Sequence, residues 1–502
     1  MSRSKRLKQN TIYSLILEIT TIVCGFILPR LILTAFGSET NGLVNSITQF
    51  LAIIAFLELG VGAVVQSSLY KPLSDSDNTK VSQIIVSANR FYKTIAFVLM
   101  GYVLVLIGIY PFISHSDFSW LFSGTLIAAM SVSAFAQYYF GVVDRLLLTA
   151  DQRGYIQYNA QSLTLIANTI ACFVLIKLES SIQLVKLTTS LIYLLRPLFL
   201  RWYVNNHYSI DRKITYEEEP ITQKWNGVAQ HVAAVVLNNT DNIVLTLFST
   251  LSNVSIYSIY YLVVAGVKQL FTSLTGGIQA LLGELWAKKE TENLQKTFNW
   301  TEWSLHTGGV FVFGCTASLI VPFVKVYTSG VNDANYIVPT FALLLTLANG
   351  LHCLRLPYNI MILAVGHYKQ TQSNYIIAAT LNIIISIIAV NFLGLIGVAI
   401  GTLVAMTYQT IWMAWYDSTH LIDRSLKLFA KQMLVDVAVF ASAFVVCKNV
   451  INGDISNFGQ WIILAFEAVA IWFAISLLLN SIFYREQVVT LFRNVKRKLV
   501  RS

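Results

Sequence analysis

The chain of 502 residues has 55% hydrophobic and 12% charged residues, with a mean hydropathy of +0.62. Soluble proteins contain about 25% charged residues, so this composition excludes a water-soluble globular fold. The net charge of +10 does not indicate nucleic-acid binding, because the basic residues are scattered among short connections and form no single stripe.

Apolar stretches of about 20 residues recur along the whole chain, and each is long enough to cross about 30 Å of hydrocarbon as a helix. The sequence therefore predicts an all-α, polytopic membrane protein with about 14 transmembrane helices. We number these predicted spans 1 to 14. They cover residues 11–36, 43–69, 93–114, 118–143, 155–178, 181–204, 226–249, 254–282, 302–328, 337–364, 372–391, 394–416, 431–450 and 458–483.

The positions of lysine and arginine predict the orientation of the spans. When basic residues near the edge of a span, such as Lys93, Arg201 and Lys431, are counted with the adjoining connection, 27 of the 35 basic residues fall in the two tails and in every second connection. The intervening connections then hold only Lys177 and Lys448. Cytoplasmic loops are enriched in such residues. We therefore expect a multi-pass protein of the cytoplasmic membrane with both termini in the cytoplasm.

The sequence indicates no cofactor and no metal site. The five cysteines are odd in number, lie inside apolar stretches and show no C-x-x-C spacing. Such cysteines are typical of small buried apolar residues rather than disulfides or metal ligands.

Two pairs of polar landmarks recur at nearly constant spacing. Asp77 and Glu290 stand in acidic stretches after spans 2 and 8, and Asn168 and Asn382 lie in spans 5 and 11. Both spacings are about 213 residues, which indicates a six-helix unit that occurs twice. We therefore expect an N-terminal lobe (1–210, spans 1–6), a C-terminal lobe (211–420, spans 7–12), and a region with spans 13 and 14 and a basic cytoplasmic tail (421–502).

Four cations lie deep in predicted spans: Arg30, Arg196, Lys268 and Arg355. A charge at the bilayer centre costs about 2.5–3.5 kcal/mol on insertion scales, so such groups usually face a bundle interior or a polar cavity. The planar guanidinium of arginine matches phosphate oxygens. We interpret the four as a substrate-binding, cationic lining for an anionic head group. Three prolines near the arginines predict bent helices at this lining.

Three acidic residues in the predicted spans, Glu18, Glu58 and Asp241, are candidates for coupling a proton or sodium ion to transport. They could equally neutralise the arginines. In particular, Asp241 and Lys268 lie at similar depth and could form a structural salt bridge. The sequence leaves these alternatives open, and it indicates no catalytic residue.

Four segments carry a resemblance to a known family, and it extends over essentially the whole chain: Gly37–Gly42 (GSETNG), Leu57–Gly62 (LELGVG), Leu147–Tyr155 (LLTADQRGY) and Asn238–Val244 (NNTDNIV). The pattern resembles the polysaccharide transporter branch of the multidrug/oligosaccharidyl-lipid/polysaccharide (MOP) exporter superfamily, which includes the Wzx-like flippases of O-antigen and capsule repeat units. The resemblance implies two six-helix lobes in a V shape, as in MATE transporters, and alternating access through a cationic central cavity.

The resemblance also implies a function. Such a protein would move undecaprenyl-diphosphate-linked oligosaccharides to the outer leaflet, with the lipid-linked anionic glycan and membrane lipid as its ligands. Polysaccharide polymerase and glycosyltransferases would be its partners, without nucleic acid. Arg30, Arg196, Lys268 and Arg355 are carried over as equivalents of the family's diphosphate-binding cations.

Two alternatives remain at this stage. A cation-coupled multidrug antiporter of the MATE type would have an acidic cavity, whereas the deep cations here are at least as numerous as the deep acids. A membrane glycosyltransferase or glycan polymerase is favoured only by the D-x-D tripeptide at Asp75–Asp77, which metal-dependent glycosyltransferases also contain. No nucleotide-binding domain surrounds this tripeptide, so we expect a transporter and not an enzyme.

Overall fold

The computed structural model describes residues 3–114, 117–221, 240–450 and 455–501. All regular secondary structure in these residues is helical, and they contain no β-strand. The first helices are α1 (Arg3–Ala52), α2 (Phe56–Ser74), α3 (Asn78–Ile113), α4 (Trp120–Ala136), α5 (Val142–Ala150), α6 (Gly154–Lys177), α7 (Ile182–His207) and α8 (240–248). A single π-helical turn, Gln137–Gly141, joins α4 to α5.

The second half continues with long helices in the same way. They are α9 (Leu251–Ala287), α10 (Thr291–Tyr327), α11 (Pro339–Leu354), α12 (Leu356–Val365), α13 (Tyr368–Leu393), α14 (Leu395–Tyr416), α15 (Leu426–Val450), α16 (Phe458–Phe483) and α17 (Arg485–Arg501). A second π-helical turn, Asp417–Leu421, extends α14.

The described residues form two compact units. The N-terminal unit contains the described residues up to 221 together with Leu245–Ser255, and the C-terminal unit contains residues 240–244 and the described residues from Ile256 onward. The connection after α7 belongs to the N-terminal unit: Arg212 Nη2 lies 3.1 Å from Asp144 Oδ1, and the Asp211 backbone N–H donates to Ser82 Oγ.

The all-α, polytopic membrane fold is confirmed. Within the described residues, 11 helices are long and apolar enough to cross a membrane. Predicted spans 2 and 10 are not among them, because the first is interrupted near residue 53 and the second is divided into α11 and α12. Predicted span 7 lies mostly outside the described residues. Large apolar side chains such as Phe112, Phe392 and Phe466 are more than 70% exposed, as lipid-facing residues are expected to be.

Short polar side chains determine where several helices begin. Ser119 and Ser181 accept backbone N–H bonds in the first turns of α4 and α7, and Asn457 does so for α16. Asp77 caps α3 by accepting a bond of 2.9 Å from the Lys80 backbone N–H. Because a side-chain acceptor satisfies one of the unpaired N–H groups of a helix start, the D-x-D tripeptide has a structural role at α3.

The last spanning helices pack onto the C-terminal unit. Trp472 of α16 is fully buried against Gly314 of α10, where only a hydrogen atom leaves room for the indole ring, and its Nε1–H donates to Ser318 Oγ at 3.0 Å. Val435, Val439 and other apolar residues of α15 belong to the same cluster. Predicted spans 13 and 14 therefore share a core with α10.

The backbone repeats its turns at the spacing noted in the sequence. Left-handed residues occur at Ser76 and Lys289, before α3 and α10, and at Gln152 and Gly366, before α6 and α13. The two spacings are 213 and 214 residues, as read from these positions. This recurrence is what a duplicated six-helix unit would produce, and the duplication itself stays a prediction.

Candidate functional site

The candidate residues of the N-terminal unit lie on three helices. Glu18 and Arg30 are on α1, where Glu18 is exposed and Arg30 is partly buried. Glu58 is on α2, and its side chain lies outside the described part of the structure. Arg196 is on α7, where its Nη2 donates a bond of 3.0 Å to Gln137 Oε1 in the π-helical turn. Glu18 and Arg30 thus share α1, whereas Arg196 lies on α7.

Local backbone structure positions Arg196. Gly141, the last residue of the π-helical turn, faces Pro197, and a Cβ on Gly141 would collide with the proline ring. This close approach places the neighbouring Arg196 beside Gln137. Arg196 also lines a groove of about 400 Å³, together with Tyr13, Tyr155 and Tyr203. The groove offers one guanidinium and several phenol groups, a combination suited to an anionic, partly apolar ligand.

In the C-terminal unit, Asp241 of α8 is buried among hydroxyl groups. Tyr257 donates to Asp241 Oδ2 at 2.8 Å, and Thr402 lies within 2.9 Å of both carboxylate oxygens. Asn382 donates through Nδ2 to Thr402 Oγ1 at 3.0 Å, whereas its own buried Oδ1 accepts no hydrogen bond. The site is rich in oxygen atoms, the ligands that hard cations prefer.

Asp241 and Lys268 do not form the direct salt bridge that the sequence left open. The hydrogen bonds of the carboxylate go to hydroxyl and amide groups, and Lys268 acts on it only as a more distant charge. The ammonium group of Lys268 instead lies 3.4 Å from Tyr261 Oη and over the Tyr261 ring. Asp241 and Lys268 are therefore neighbours with different partners.

Arg355 lies at the break between α11 and α12, with Pro357 two residues later. Proline has no N–H to continue the hydrogen bonds of α11, and the helix is broken here. Of the three arginine–proline pairs predicted to bend a helix, this pair is the one at which the helix breaks. At Pro29 and Pro197 the helix continues. The kink of α1 is instead at Gly37.

Arg355 is a buried cation with no ion-pair partner among the described residues. Its side chain donates from Nη2 to His352 Nδ1 at 3.0 Å, and its buried Nε makes no hydrogen bond. Within the described part of the chain, no carboxylate forms an ion pair with it. The charges of Arg355 and Lys268 both act on His352. Lys268 and Arg355 thus form a cationic cluster around His352 in the C-terminal unit.

Sequence reasoning missed a second group of buried charges in the same unit. Glu302 and His306 of α10 are buried, and each contacts an ionisable residue from another element: Glu302 pairs with Arg424, and His306 with Asp436. The signal was present, because Glu302 and His306 are four residues apart and share one helix face. Both lie at the start of predicted span 9, where charged residues near the membrane surface are common and do not stand out.

The sequence matches no known protein family's profile, and it matches no curated protein sequence. Solved structures do resemble the chain. The lipid II flippase MurJ, in an inward closed conformation, superposes with a TM-score of 0.73 over 95% of this chain and 100% of MurJ, at 15% sequence identity. The chain therefore has the same fold as MurJ.

Two MATE transporters share the fold less completely. An inward-facing multidrug resistance MATE family transporter of the MOP superfamily gives a TM-score of 0.63 over 80% of this chain and 94% of its own, at 15% identity. The Vibrio cholerae MATE transporter VcmN, in its bent form, gives 0.55 over 87% of this chain and 98% of its own, at 12% identity. At such identities the likeness concerns the fold.

Proposed function

We propose that this chain is a flippase that moves undecaprenyl-diphosphate-linked oligosaccharide repeat units across the cytoplasmic membrane for the synthesis of cell-surface polysaccharide. The proposal rests mainly on one observation: the guanidinium of Arg355 is buried and lacks an anionic partner among the described residues. An unpaired buried charge is costly to maintain. A diphosphate would supply the missing negative charge, and the planar guanidinium can bind two of its oxygens at once.

The comparison with solved structures supports a lipid-linked substrate. The lipid II flippase MurJ superposes on 95% of the chain with a TM-score of 0.73, whereas the inward-facing multidrug MATE transporter matches 80% of it with a TM-score of 0.63. A cationic cluster also fits an anionic head group better than the cationic substrate of a multidrug antiporter. We therefore favour the flippase over a MATE-type antiporter.

We further propose that Asp241 takes the coupling ion. Its carboxylate lies with the hydroxyl groups of Thr402 and Tyr257 in one buried place, and Asn382 is bonded to Thr402 there. Such a set of oxygens suits a sodium ion, and the carboxylate alone suits a proton. Glu18 and Glu58 of the N-terminal unit remain candidates for the same role. The cationic residues would bind substrate and Asp241 would couple its movement to an ion gradient.

The test is transport of a fluorescent undecaprenyl-diphosphate-linked disaccharide by the full-length protein in proteoliposomes. Arg355→Gln removes the charge, and we expect a drop of about 10- to 100-fold in apparent affinity, because a charge-assisted hydrogen bond contributes about 1.5–3 kcal/mol. Arg355→Lys keeps the charge but loses the bidentate geometry, so its loss should be intermediate. Arg355→Glu, Arg196→Glu and Lys268→Glu should abolish transport.

Lys448→Glu is the matched control, because Lys448 is an exposed cation at the far end of α15. It should transport like the wild type. Each variant must also insert into the membrane and elute as one species, which separates loss of binding from loss of folding. Full activity in all three charge-reversed variants would refute the proposal. Efflux of a cationic dye that is insensitive to Arg355→Gln would favour the antiporter.

A further inference from the structure

A continuous line of hydrogen bonds connects five side chains inside the C-terminal unit. Arg424, in the connection before α15, forms an ion pair with Glu302 of α10. Tyr358 of α12 donates to Glu302 Oε1 at 2.6 Å and lies 3.2 Å from His306 Nε2. His306 Nδ1 then lies 2.6 Å from Asp436 Oδ2 on α15. We call these five residues the buried relay.

The relay is removed from solvent. Glu302, His306, Tyr358 and Asp436 are each 5% exposed or less. Burying so many ionisable groups costs free energy unless each is paired. Apolar residues could fill the same space, so packing alone does not account for this choice of residues. Ionisable groups within a membrane-spanning bundle are typical of ion and proton pathways.

The hydrogen-bond directions require a proton between His306 and Asp436. Glu302 is ionised in its pair with Arg424, so it can only accept, and the single hydrogen of Tyr358 goes to it. His306 Nε2 must then be the donor towards the Tyr358 oxygen. The short contact between Nδ1 and Asp436 Oδ2 therefore holds a second proton, as either an imidazolium–carboxylate pair or an imidazole–carboxylic acid pair.

Loss of that proton would change the hydrogen bond between Tyr358 and Glu302 at the other end of the relay. Without it, Nδ1 and Oδ2 would face each other as two acceptors and repel. The imidazole can avoid this by moving its remaining hydrogen to Nδ1, but Nε2 then becomes an acceptor. Tyr358 must in turn redirect its hydrogen from Glu302 to His306. Either response weakens contacts that hold α10 to α12 or to α15.

A proton could enter or leave the relay at its Asp436 end. Asp436 borders a cavity of about 350 Å³ whose other walls are mostly apolar, among them Phe313 and Phe440. Arg424 lies just before α15 begins at Leu426. Ten residues of helix separate Leu426 from Asp436, or about 15 Å at 1.5 Å per residue. The relay thus extends from the end of a spanning helix to about half the depth of a bilayer.

The remaining polar groups around the relay are few. Gln432 of α15 donates to Asp436 Oδ1 at 2.9 Å. Asp417, in the π-helical turn after α14, is buried next to the Arg424–Glu302 pair, and neither of its carboxylate oxygens makes a hydrogen bond. Tyr484, the residue after α16, lies near the charged groups of the relay. The polar groups of α16 and α11 nearest α10 are Asn480, bonded to Trp303, and His352, bonded to Arg355.

We propose that His306 and Asp436 form a proton-binding site in the C-terminal unit, and that its occupancy is transmitted through Tyr358 to the Glu302–Arg424 pair. The proposal rests on the proposed transport function and adds a proton site distinct from Asp241. Uptake adds one proton to the His306–Asp436 pair, and release returns it to water. Only N–H and O–H bonds form or break.

The test is nitrogen NMR of the full-length protein in lipid nanodiscs, with ¹⁵N-labelled histidine, between about pH 5 and pH 9. We expect the ring-nitrogen signals of one buried histidine to shift over this range, and these signals should vanish in His306→Gln. In Asp436→Asn the same signals should persist but lose their response to pH. His207→Gln is the matched control, because His207 is exposed on α7 and should remove a different signal.

A second measurement connects the proton to transport. The ratio of disaccharide transport rates at about pH 6 and pH 8 should fall towards one in Asp436→Asn. In Tyr358→Phe it should fall too, although the His306 signals still respond to pH. His306 signals that stay constant in the wild type across the whole range would overturn the proposal. A responding His306 in a protein that moves no lipid-linked disaccharide would retain the proton site and refute the flippase instead.

Discussion

Asp151 joins three parts of the N-terminal unit. Its Oδ1 lies 3.2 Å from Arg6 of α1, its Oδ2 lies 2.8 Å from Arg153, and Tyr208 donates to Oδ2 at 2.6 Å. Burial raises the pKa of Tyr208, and the hydrogen bond to Asp151 raises it further. This phenol therefore remains a donor at neutral pH. The Leu147–Tyr155 segment, which carried part of the family resemblance, is thus a structural junction.

We expect Asp151→Asn to destabilise the protein. It removes the negative charge from two arginines, and the loss should be roughly 1–2 kcal/mol for such partly buried, charge-assisted bonds. Thermal unfolding of the purified protein would show this as a lower Tm. Asp75→Asn is the matched control, because Asp75 is exposed in the turn before α3. Equal Tm values for the two variants would show that the junction contributes nothing to stability.

At the scale of a helix, α1 is two helices joined at Gly37. This residue has φ 82° and ψ 176°, a region of backbone space that is essentially restricted to glycine. The helix changes direction there and not at Pro29, although proline is the residue usually associated with kinks. A single lost hydrogen bond leaves α1 helical at Pro29, whereas a left-handed backbone torsion necessarily breaks the helix.

We expect Gly37→Ala to destabilise the fold by about 1–3 kcal/mol, because an added Cβ is strained in this conformation. Gly101→Ala is the matched control: Gly101 lies within α3, and nothing lies within 4 Å of where its Cβ would be. Alanine should be neutral or stabilising there, since it favours a helix interior. Tm values of both variants test the difference, and a Gly37→Ala variant as stable as the wild type would contradict it.

For the whole molecule, the distribution of positive charge predicts a cytoplasmic location for both termini. The structure places the corresponding connections on the protein surface: Ser425 precedes α15 and Ser329 follows α10, and both are exposed. The charge count assigns Ser425 to the cytoplasm and Ser329 to the outside. The orientation stays a prediction until it is measured.

Cysteine labelling can measure it with little background, because all five native cysteines are buried. We expect a membrane-impermeant maleimide to label Ser329→Cys in intact cells, and Ser425→Cys only after the cells are permeabilised. The two variants serve as each other's control. The opposite pattern would reverse the orientation, and labelling of both in intact cells would show that the predicted alternation of spans is wrong.

The sequence predicted the fold class because helix formation and membrane insertion depend on local composition. A window of about 20 apolar residues identifies a spanning helix without knowledge of its neighbours. Breaks within the helices were harder to predict from the sequence. The division into α11 and α12 follows from Pro357, but no proline or glycine indicates the break near residue 53. Helices also extend beyond the apolar windows, as α3 does from Asn78, because a cap and not hydropathy determines their start.

The contacts of the candidate residues could not be predicted from the sequence. Sequence alone placed Lys268 and Arg355 deep in the membrane, and the structure adds that both act on His352 while Arg355 lacks a carboxylate partner among the described residues. Sequence could not decide between Lys268 and the hydroxyl groups as partners of Asp241. Asp436 lies near the start of predicted span 13, and nothing in the local sequence indicates its contact with His306. These decisions depend on contacts between residues far apart in the chain, which no local pattern contains.

Composition and charge spacing by themselves determined that this protein is an all-α, multi-pass membrane protein. Each apolar segment forms all its backbone hydrogen bonds within its own helix in lipid, so its structure does not depend on its neighbours. Only the tertiary structure decided which buried charges are paired and which are not. The relay from Arg424 to Asp436 exists because α10, α12 and α15 bring distant side chains within hydrogen-bonding distance. Such contacts are set by helix packing, and packing is a property of the folded chain as a whole.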